Sequence, residues 1–296
     1  DEKYYFITSS DHNTSEQYFF STNEKKPAPK LIQKREKGII YSVNSWDGNF
    51  YIHTNKNAVD FKIEKTNDLN KKKWDIFIPA QDETMIGGLT FLNKWILRSE
   101  VSNALGKIFV KNLDTDHEEE LIFSEEEVFD GGISLKQKDR NTDEIYISYS
   151  TPKTQNRVYS YNLQTKEKKL VKEQIIPSGH NSNDYIVERF DCESHDGRKV
   201  PLTITRHKKT KINGEAKLLL YGYGSYGNSM SPGFSSSRLS LINRDIIWVT
   251  AHVRGGLERG MKWWKEGKLL NKKNTFKDYI SVAKFLIEKK YTSKGN

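Results

Sequence analysis

Residues 218–240, "LLLYGYGSYGNSMSPGFSSSRLS", carry an apolar run straight into a glycine-studded turn. The run opens at "AKLLLYGYG" (216–224) and is followed by a second, "DIIWVTAHVRGG" (245–256). Near-continuous apolar strands belong in a sheet covered on both faces, which points to an α/β domain. Just upstream, "YIVERFDCESHDGRKVPLTITRHKK" reads as two alternating strands, 185–194 and 199–207, joined at Asp196-Gly197, a strong hairpin signal. Downstream, "NTFKDYISVAKFLIEKKY" has a helical period: Phe276, Ile280, Ala283 and Ile287 share one face. Thr275 with Asp278 reads as a start of the capping-box type.

The first 180 residues follow a different rule. Short aromatic or β-branched runs recur: "YFIT" (5–8), "YIHT" (51–54), "ILRS" (96–99) and "YISY" (146–149) start 46, 45 and 50 residues apart. Each is followed by a second run, "YFFS", "FKIE", "IFVK" and "VYSY", across a turn-rich stretch. A strand–turn–strand unit repeating at about 45–50 residues is the mark of β-propeller blades. About four such units are present. The expected organisation is a partial β-propeller over residues 1–178, then the N-terminal part of an α/β-hydrolase-type domain over 179–296.

Composition sets limits on function. The chain has 296 residues, 35% hydrophobic and 12% aromatic, enough for one or two packed domains. No window approaches the roughly 18 apolar residues of a membrane span. The opening "DEKYYFITSS" is charged and then strand-like, so it does not read as a signal peptide, and without a Met it points to a processed or partial chain. Cys192 is the only cysteine, which excludes a disulfide framework and a cysteine-based zinc site and suits a reducing cytoplasm. The net charge of +9 comes from dispersed lysines ("NEKKPAPK", "NKKKW", "TKEKKLVKE", "RHKKTK") at turns between strands. It reads as solvated loops and not as a nucleic-acid surface. No metal or cofactor motif is present.

Ser225, flanked by Gly224 and Tyr226, invites a test as a nucleophile. A nucleophile elbow has the form Gly-x-Ser-x-Gly, because side chains two residues on either side clash across the strained turn. Ser225 has Gly227 after it but Tyr223 before it. The only downstream histidine is His252; Asp245 lies seven residues earlier in one apparent strand, an odd offset and about 23 Å away. That is no His–Asp pair, and Gly-x-Ser-x-Gly occurs nowhere in the 296 residues. His180 and His195, near the hairpin, are expected at the surface.

Taken together, "YIVERFDCESHDGRKVPLTITRHKK", "LLLYGYGSYGNSMSPGFSSSRLSLINRD", "VTAHVRGGLERGMKWWKEGKLLNKKNTFKDYI" and "FLIEKKYTS" resemble the prolyl oligopeptidase family, nearest its oligopeptidase B branch. The resemblance covers residues 176–296 and agrees with the repeats before them. It implies cytoplasmic serine peptidases in which a propeller caps an α/β-hydrolase domain and admits short peptides, with cleavage after Lys or Arg. In that family the nucleophile elbow follows the segment matched by "YTSKGN", so the chain is expected to end before the triad. The resemblance makes the hydroxyl of Tyr223 an oxyanion donor and Tyr226 a substrate-lining residue. Ser231 and Gly233 stand where family members often carry acids that bind a basic substrate side chain. In "RGGLERG", Leu257 and Arg259 depart from the family pattern while Arg254 and Gly255 are kept, and that loop reads as structural.

Two functions follow. The first is a fragment of a serine endopeptidase, inactive alone and completed by a second polypeptide if it is part of a split enzyme. The alternative is a non-catalytic propeller module that binds a peptide or protein.

Overall fold

The structure, a computed structural model, describes residues 2–71, 73–122, 124, 126–136 and 139–296; Lys72 of "NKKKW" lies outside them. The chain divides into two compact units, Asp1–Gly88 and Leu89–Asn296. In the first unit, β1 (Tyr4–Ser10), β2 (Ser15–Ser21) and β3 (Lys30–Leu31) form a three-stranded antiparallel sheet. A four-stranded meander follows: β4 (Tyr41–Trp46), β5 (Asn49–Thr54), β6 (Lys62–Thr66) and β7 (Asp75–Ile78). Its core gathers Tyr41, Val43, Phe50, Ile52, Leu69 and Trp74 with Tyr4, Phe6 and Phe19.

A second meander is built from β8 (Thr84–Leu92), β9 (Trp95–Ser102), β10 (Leu105–Asn112) and β11 (Glu118–Glu120). A third comprises β12 (Asp130–Leu135), β13 (Glu144–Ser150), β14 (Arg157–Asn162) and β15 (Lys168–Glu173). Leu97, Ile108, Val110, Ile145 and Ile147 bury their side chains between these last two sheets. Consecutive antiparallel strands in sheets of four are propeller blades. The recurring runs of the sequence fall on the two central strands of each four-stranded sheet. The outer strands β11 and β15 read "EEE" and "KKLVKE". Charge on an edge strand blocks pairing with other chains and leaves no apolar signal.

The rest of the second unit is the opening of an α/β domain. The strands β16 (Tyr185–Glu193) and β17 (Lys199–His207) form the expected hairpin, turning through Gly197 at φ 82°. The sheet runs β16-β17-β19-β18, where β18 (Leu218–Tyr221) lies parallel to β19 (Ile247–Ala251). One face carries α1 (Ser236–Ile242), with Leu239 and Ile242 buried beside Tyr185. The other carries Trp263 of α2 (Gly260–Lys265) and Val282 and Leu286 of α3 (Lys273–Glu288), packed on Val200, Leu202, Ile204, Val249 and Ala251. Among the described residues no helix is long and apolar enough to cross a membrane.

Three expectations need correction. The helix α3 buries Thr275, Asp278, Val282 and Leu286, whereas Phe276, Ile280 and Ile287 are 61%, 52% and 37% exposed. Counting apolar residues chose the wrong face because two of the inward residues are polar and bonded there. Thr275 lies inside the helix, whose N-cap is Lys272, and its hydroxyl donates to the carbonyls of Arg254 (2.7 Å) and Gly267 (3.2 Å) instead of capping. His180 is half-buried, not superficial: it stacks on Tyr185, and its Nε2 lies 2.7 Å from the Lys153 carbonyl.

Candidate active site

The turn after β18 is made by close backbone approach. Gly224, Tyr226 and Gly227 all take positive φ, at 60°, 57° and 71°. A Cβ on Gly224 would come 2.7 Å from the Arg254 carbonyl oxygen, and one on Gly255 (φ 110°) would fall on the Gly224 carbonyl. The two turns, "YGYGSYG" and "RGG", therefore press backbone on backbone, which only glycine permits. The Gly227 N–H donates to the Gly255 carbonyl at 3.0 Å, and the Asn228 N–H to the Ser225 carbonyl at 3.0 Å. Leu257 fills the space beside Gly227, 3.5 Å from where a Cβ would stand.

Beneath the turns sits a buried ionic knot. The Arg254 backbone N–H (3.0 Å) and Nε (2.8 Å) donate to Asp278 Oδ2, and its second guanidinium nitrogen donates to Asp278 Oδ1 at 2.6 Å. The same guanidinium donates to both oxygens of Asp196, at 2.6 and 3.1 Å. Burial works against the charge on Arg254, but the hydrogen bonds to Asp278 and Asp196 outweigh it and raise its pKa above the usual arginine value. The bond to Arg254 holds the Asp196 carboxyl below the ordinary range. The hairpin, the RGG turn and α3 are thus tied to one cation, consistent with a structural role for Arg254.

Tyr223 leaves this frame with its ring 41% exposed and its hydroxyl without a hydrogen-bond partner among the described residues. Tyr226 projects further, at 79% exposure. The Ser225 Oγ accepts from Lys272 Nζ at 2.7 Å, and Lys272 Nζ also donates to the Gly224 carbonyl. Burial lowers the Lys272 pKa.

The other titratable groups are placed by packing. Asp245 and His252 flank β19 instead of lying within it. Asp245 Oδ1 accepts from Thr210 at 3.3 Å, while buried His252 lies 3.0 Å from Thr203 Oγ1 through Nε2. Burial first, then the charge of Arg189, lowers the His252 pKa to about 3. Ser194 stands between His195 Nδ1 (3.1 Å) and Asp278 Oδ1 (2.6 Å). Its hydroxyl donates straight to the carboxylate, so that set is not arranged for base catalysis. Glu258 is buried; its Oε1 accepts from the Met230 N–H at 2.9 Å, its Oε2 has no hydrogen-bond partner among the described residues, and burial pushes its pKa up to about 7. Asp130, at the start of β12, places Oδ2 2.9 Å from where a Cβ on Gly233 would stand. Among the described residues no three His, Cys, Asp or Glu side chains gather to hold a metal ion. A cavity of about 520 Å³ on β12–β15, lined by Lys136, Glu144, Tyr146 and Lys169, contains none of the turn residues.

Sequence reading named Tyr223, Tyr226 and Arg254 but not the long-range contacts around them. Asp278, Glu258 and Lys272 act through partners at least 24 residues away, which no local spacing reveals.

Propeller blades are followed in this chain by the first strands and helices of an α/β-hydrolase-type sheet. The chain belongs to the prolyl oligopeptidase family: residues 1–174 match the prolyl oligopeptidase N-terminal β-propeller domain, and residues 232–296 match the prolyl oligopeptidase family domain. It is 33% identical over 293 residues to Protease 2 of Moraxella lacunata, spanning 98% of this chain and 42% of that protein. To Dipeptidyl aminopeptidase BI of Pseudoxanthomonas mexicana it is 32% identical, over 89% of this chain and 36% of the relative. Oligopeptidase B from Trypanosoma brucei, solved with covalently bound antipain in a closed form, superposes with a TM-score of 0.90 at 29% identity, over 98% of this chain and 42% of that one. Oligopeptidase B from Leishmania major gives 0.87 at 26% identity, with the same coverage. The chain is thus similar to a part, about two-fifths, of these peptidases.

Proposed function

We propose that these residues form the later propeller blades (1–178) and first hydrolase strands (179–296) of a cytoplasmic serine endopeptidase that cleaves short peptides after Lys or Arg. The observation that carries this reading is the clamped "YGYG" turn with the free hydroxyl of Tyr223. In the proposed enzyme Tyr223 donates to the tetrahedral oxyanion, and Tyr226 lines the substrate channel. A preorganised donor of this kind contributes about 3–4 kcal/mol to transition-state stabilisation. Ser231 and Gly233 lack acid, but the Asp130 carboxylate beside Gly233 supplies negative charge in that stretch and supports basic specificity.

Residues 1–296 contain no Gly-x-Ser-x-Gly, so this chain alone has no covalent route and is inactive in this reading. The nucleophile and its base come from further sequence or from a second polypeptide. Such a partner adds to the free edge at β18 and covers the outer face of α3, where Phe276 and Ile280 are exposed. The lone, buried Cys192, whose thiol burial pushes up to about 11, suits a reducing compartment.

The test is hydrolysis of Arg-, Lys- and Pro-containing peptide esters by the natural full-length polypeptide and by residues 1–296 alone. The expected result is cleavage after Arg and Lys by the first and none by the second, with Tyr223→Phe lowering kcat about 10²–10³-fold. Turnover by residues 1–296 that a serine-directed inhibitor abolishes would overturn the claim of inactivity. An unaffected kcat in Tyr223→Phe would remove the oxyanion role.

A further inference from the structure

Lys272 is poorly suited to its place in the chain. It stands at the N-terminal end of α3, directly after the 3-10 turn Leu269–Asn271 and itself helical (φ −56°, ψ −29°), where the helix dipole favours negative charge. No acid occupies the first turn, and Lys273 follows directly. The amine is partly buried, and no carboxylate among the described residues pairs with it. A local choice this unfavourable is expected where tertiary function overrides local preference.

What Lys272 reaches is the Tyr223 turn. Its Nζ donates to the Gly224 carbonyl and, at 2.7 Å, to Ser225 Oγ, binding both residues that follow Tyr223 and Gly224's own peptide. The turn needs such a hold. Tyr226 sits at φ 57° with its side chain largely in solvent, a left-handed conformation that costs about 1–2 kcal/mol outside glycine. The Gly255 carbonyl pins the far half of the turn at Gly227. Lys272 pins the near half, adjoining Tyr223. The Tyr223 hydroxyl has no hydrogen bond among the described residues, so the backbone of the turn contributes directly to where the ring is aimed.

We propose that Lys272 is the positioning residue of the oxyanion turn, its ammonium fixing the 224–225 peptide so that the Tyr223 phenol stays aimed at the developing negative charge. This rests on the reading of Tyr223 given above. A misplacement of about 1 Å at a reacting group costs about 10²-fold in rate. Replacing Lys272 by Met therefore lowers kcat with little effect on KM. It leaves the fold intact, because Met is as good a helix former and removes a cation from the positive end of α3.

Two measurements test this. In the natural full-length polypeptide, Lys272→Met is expected to lower kcat about 10–100-fold with KM within about 2-fold, and urea stability should be unchanged. The double variant with Tyr223→Phe should be no slower than Tyr223→Phe alone, since Lys272 acts through that hydroxyl. Additive losses, or a loss confined to KM, would overturn the proposal. In residues 1–296, native-state hydrogen exchange of Lys272→Met should speed up at Gly227 and Asn228 by about 10-fold or more, with no change at Leu286 in α3. Unchanged exchange at both turn amides overturns the proposal whatever the activity. Altered exchange in a full-length polypeptide devoid of peptidase activity would instead sink the functional reading of Tyr223 and leave Lys272 as the anchor of the turn.

Discussion

Arg254 and Asp278 share three hydrogen bonds of 2.6–3.0 Å with both side chains sealed from solvent, and through them α3 is fastened to the RGG turn. Desolvating two charges is costly, and the geometry here offsets it: Asp196 completes the guanidinium, and Ser194 donates to Asp278. Removing the carboxylate strands a buried cation. Asp278→Ala is expected to destabilise the second unit by about 3–5 kcal/mol, read from the urea midpoint at constant slope. A loss below about 1 kcal/mol would show that Asp196 alone suffices.

The contact between the two turns tolerates no side chain. In Gly255→Ala the new Cβ falls on the Gly224 carbonyl, in a backbone conformation at φ 110° that L-residues avoid. The expected cost is about 3 kcal/mol or more, together with loss of order around Tyr223. Thermal unfolding and the hydrogen exchange of the Gly227 amide measure the two effects separately. The same change at Gly197, where a Cβ meets nothing within 4 Å, retains only the strain of φ 82° and should cost about 1–2 kcal/mol.

Glu258 gives the protein a pH dependence of predictable sign. Burial raises its pKa from 4.5 to about 7, so between those values the folded state holds a proton that the unfolded state has released. Stability from this group falls as pH rises from about 4.5 to about 7, and the deficit is complete above about 7. Its size is of order 3 kcal/mol. Glu258→Gln keeps an acceptor for the Met230 N–H and carries no charge. The variant should gain on the parent at pH 8 and match it at pH 4, in urea titrations run at both. A constant difference at the two pH values would mean that the carboxyl does not titrate in this range.

The outer face of α3 contributes little to this unit's stability. Phe276→Glu and Ile280→Lys replace exposed side chains and should change stability by less than about 0.5 kcal/mol. They should raise solubility and reduce light scattering by residues 1–296, because they break an apolar patch. A loss of several kcal/mol from either would show that this face is packed within the unit.

Much of the architecture was readable before folding. The central strands of the blades were visible because burial on both sides demands apolar residues, as at Ile52, Leu97 and Ile147. The hairpin of β16 and β17 was visible because Asp196-Gly197 has few other uses. The outer strands were not, since "EEE" and "KKLVKE" look like loop. The core face of α3 was misread because Thr275 and Asp278 point inward with full sets of hydrogen bonds, and a hydrophobic count assigns polar residues to solvent.

The amino-acid order alone determined the repeat, the change to an α/β pattern and the family, because each depends on spacing along the chain. Folding alone decided which groups meet. Arg254 finds Asp196 58 residues away, Asp278 joins it from 24 residues on the other side, and Lys272 reaches Ser225 across 47. Those pairings arise where α3 packs over the sheet beside two glycine turns, so the support beneath Tyr223 belongs to the tertiary structure.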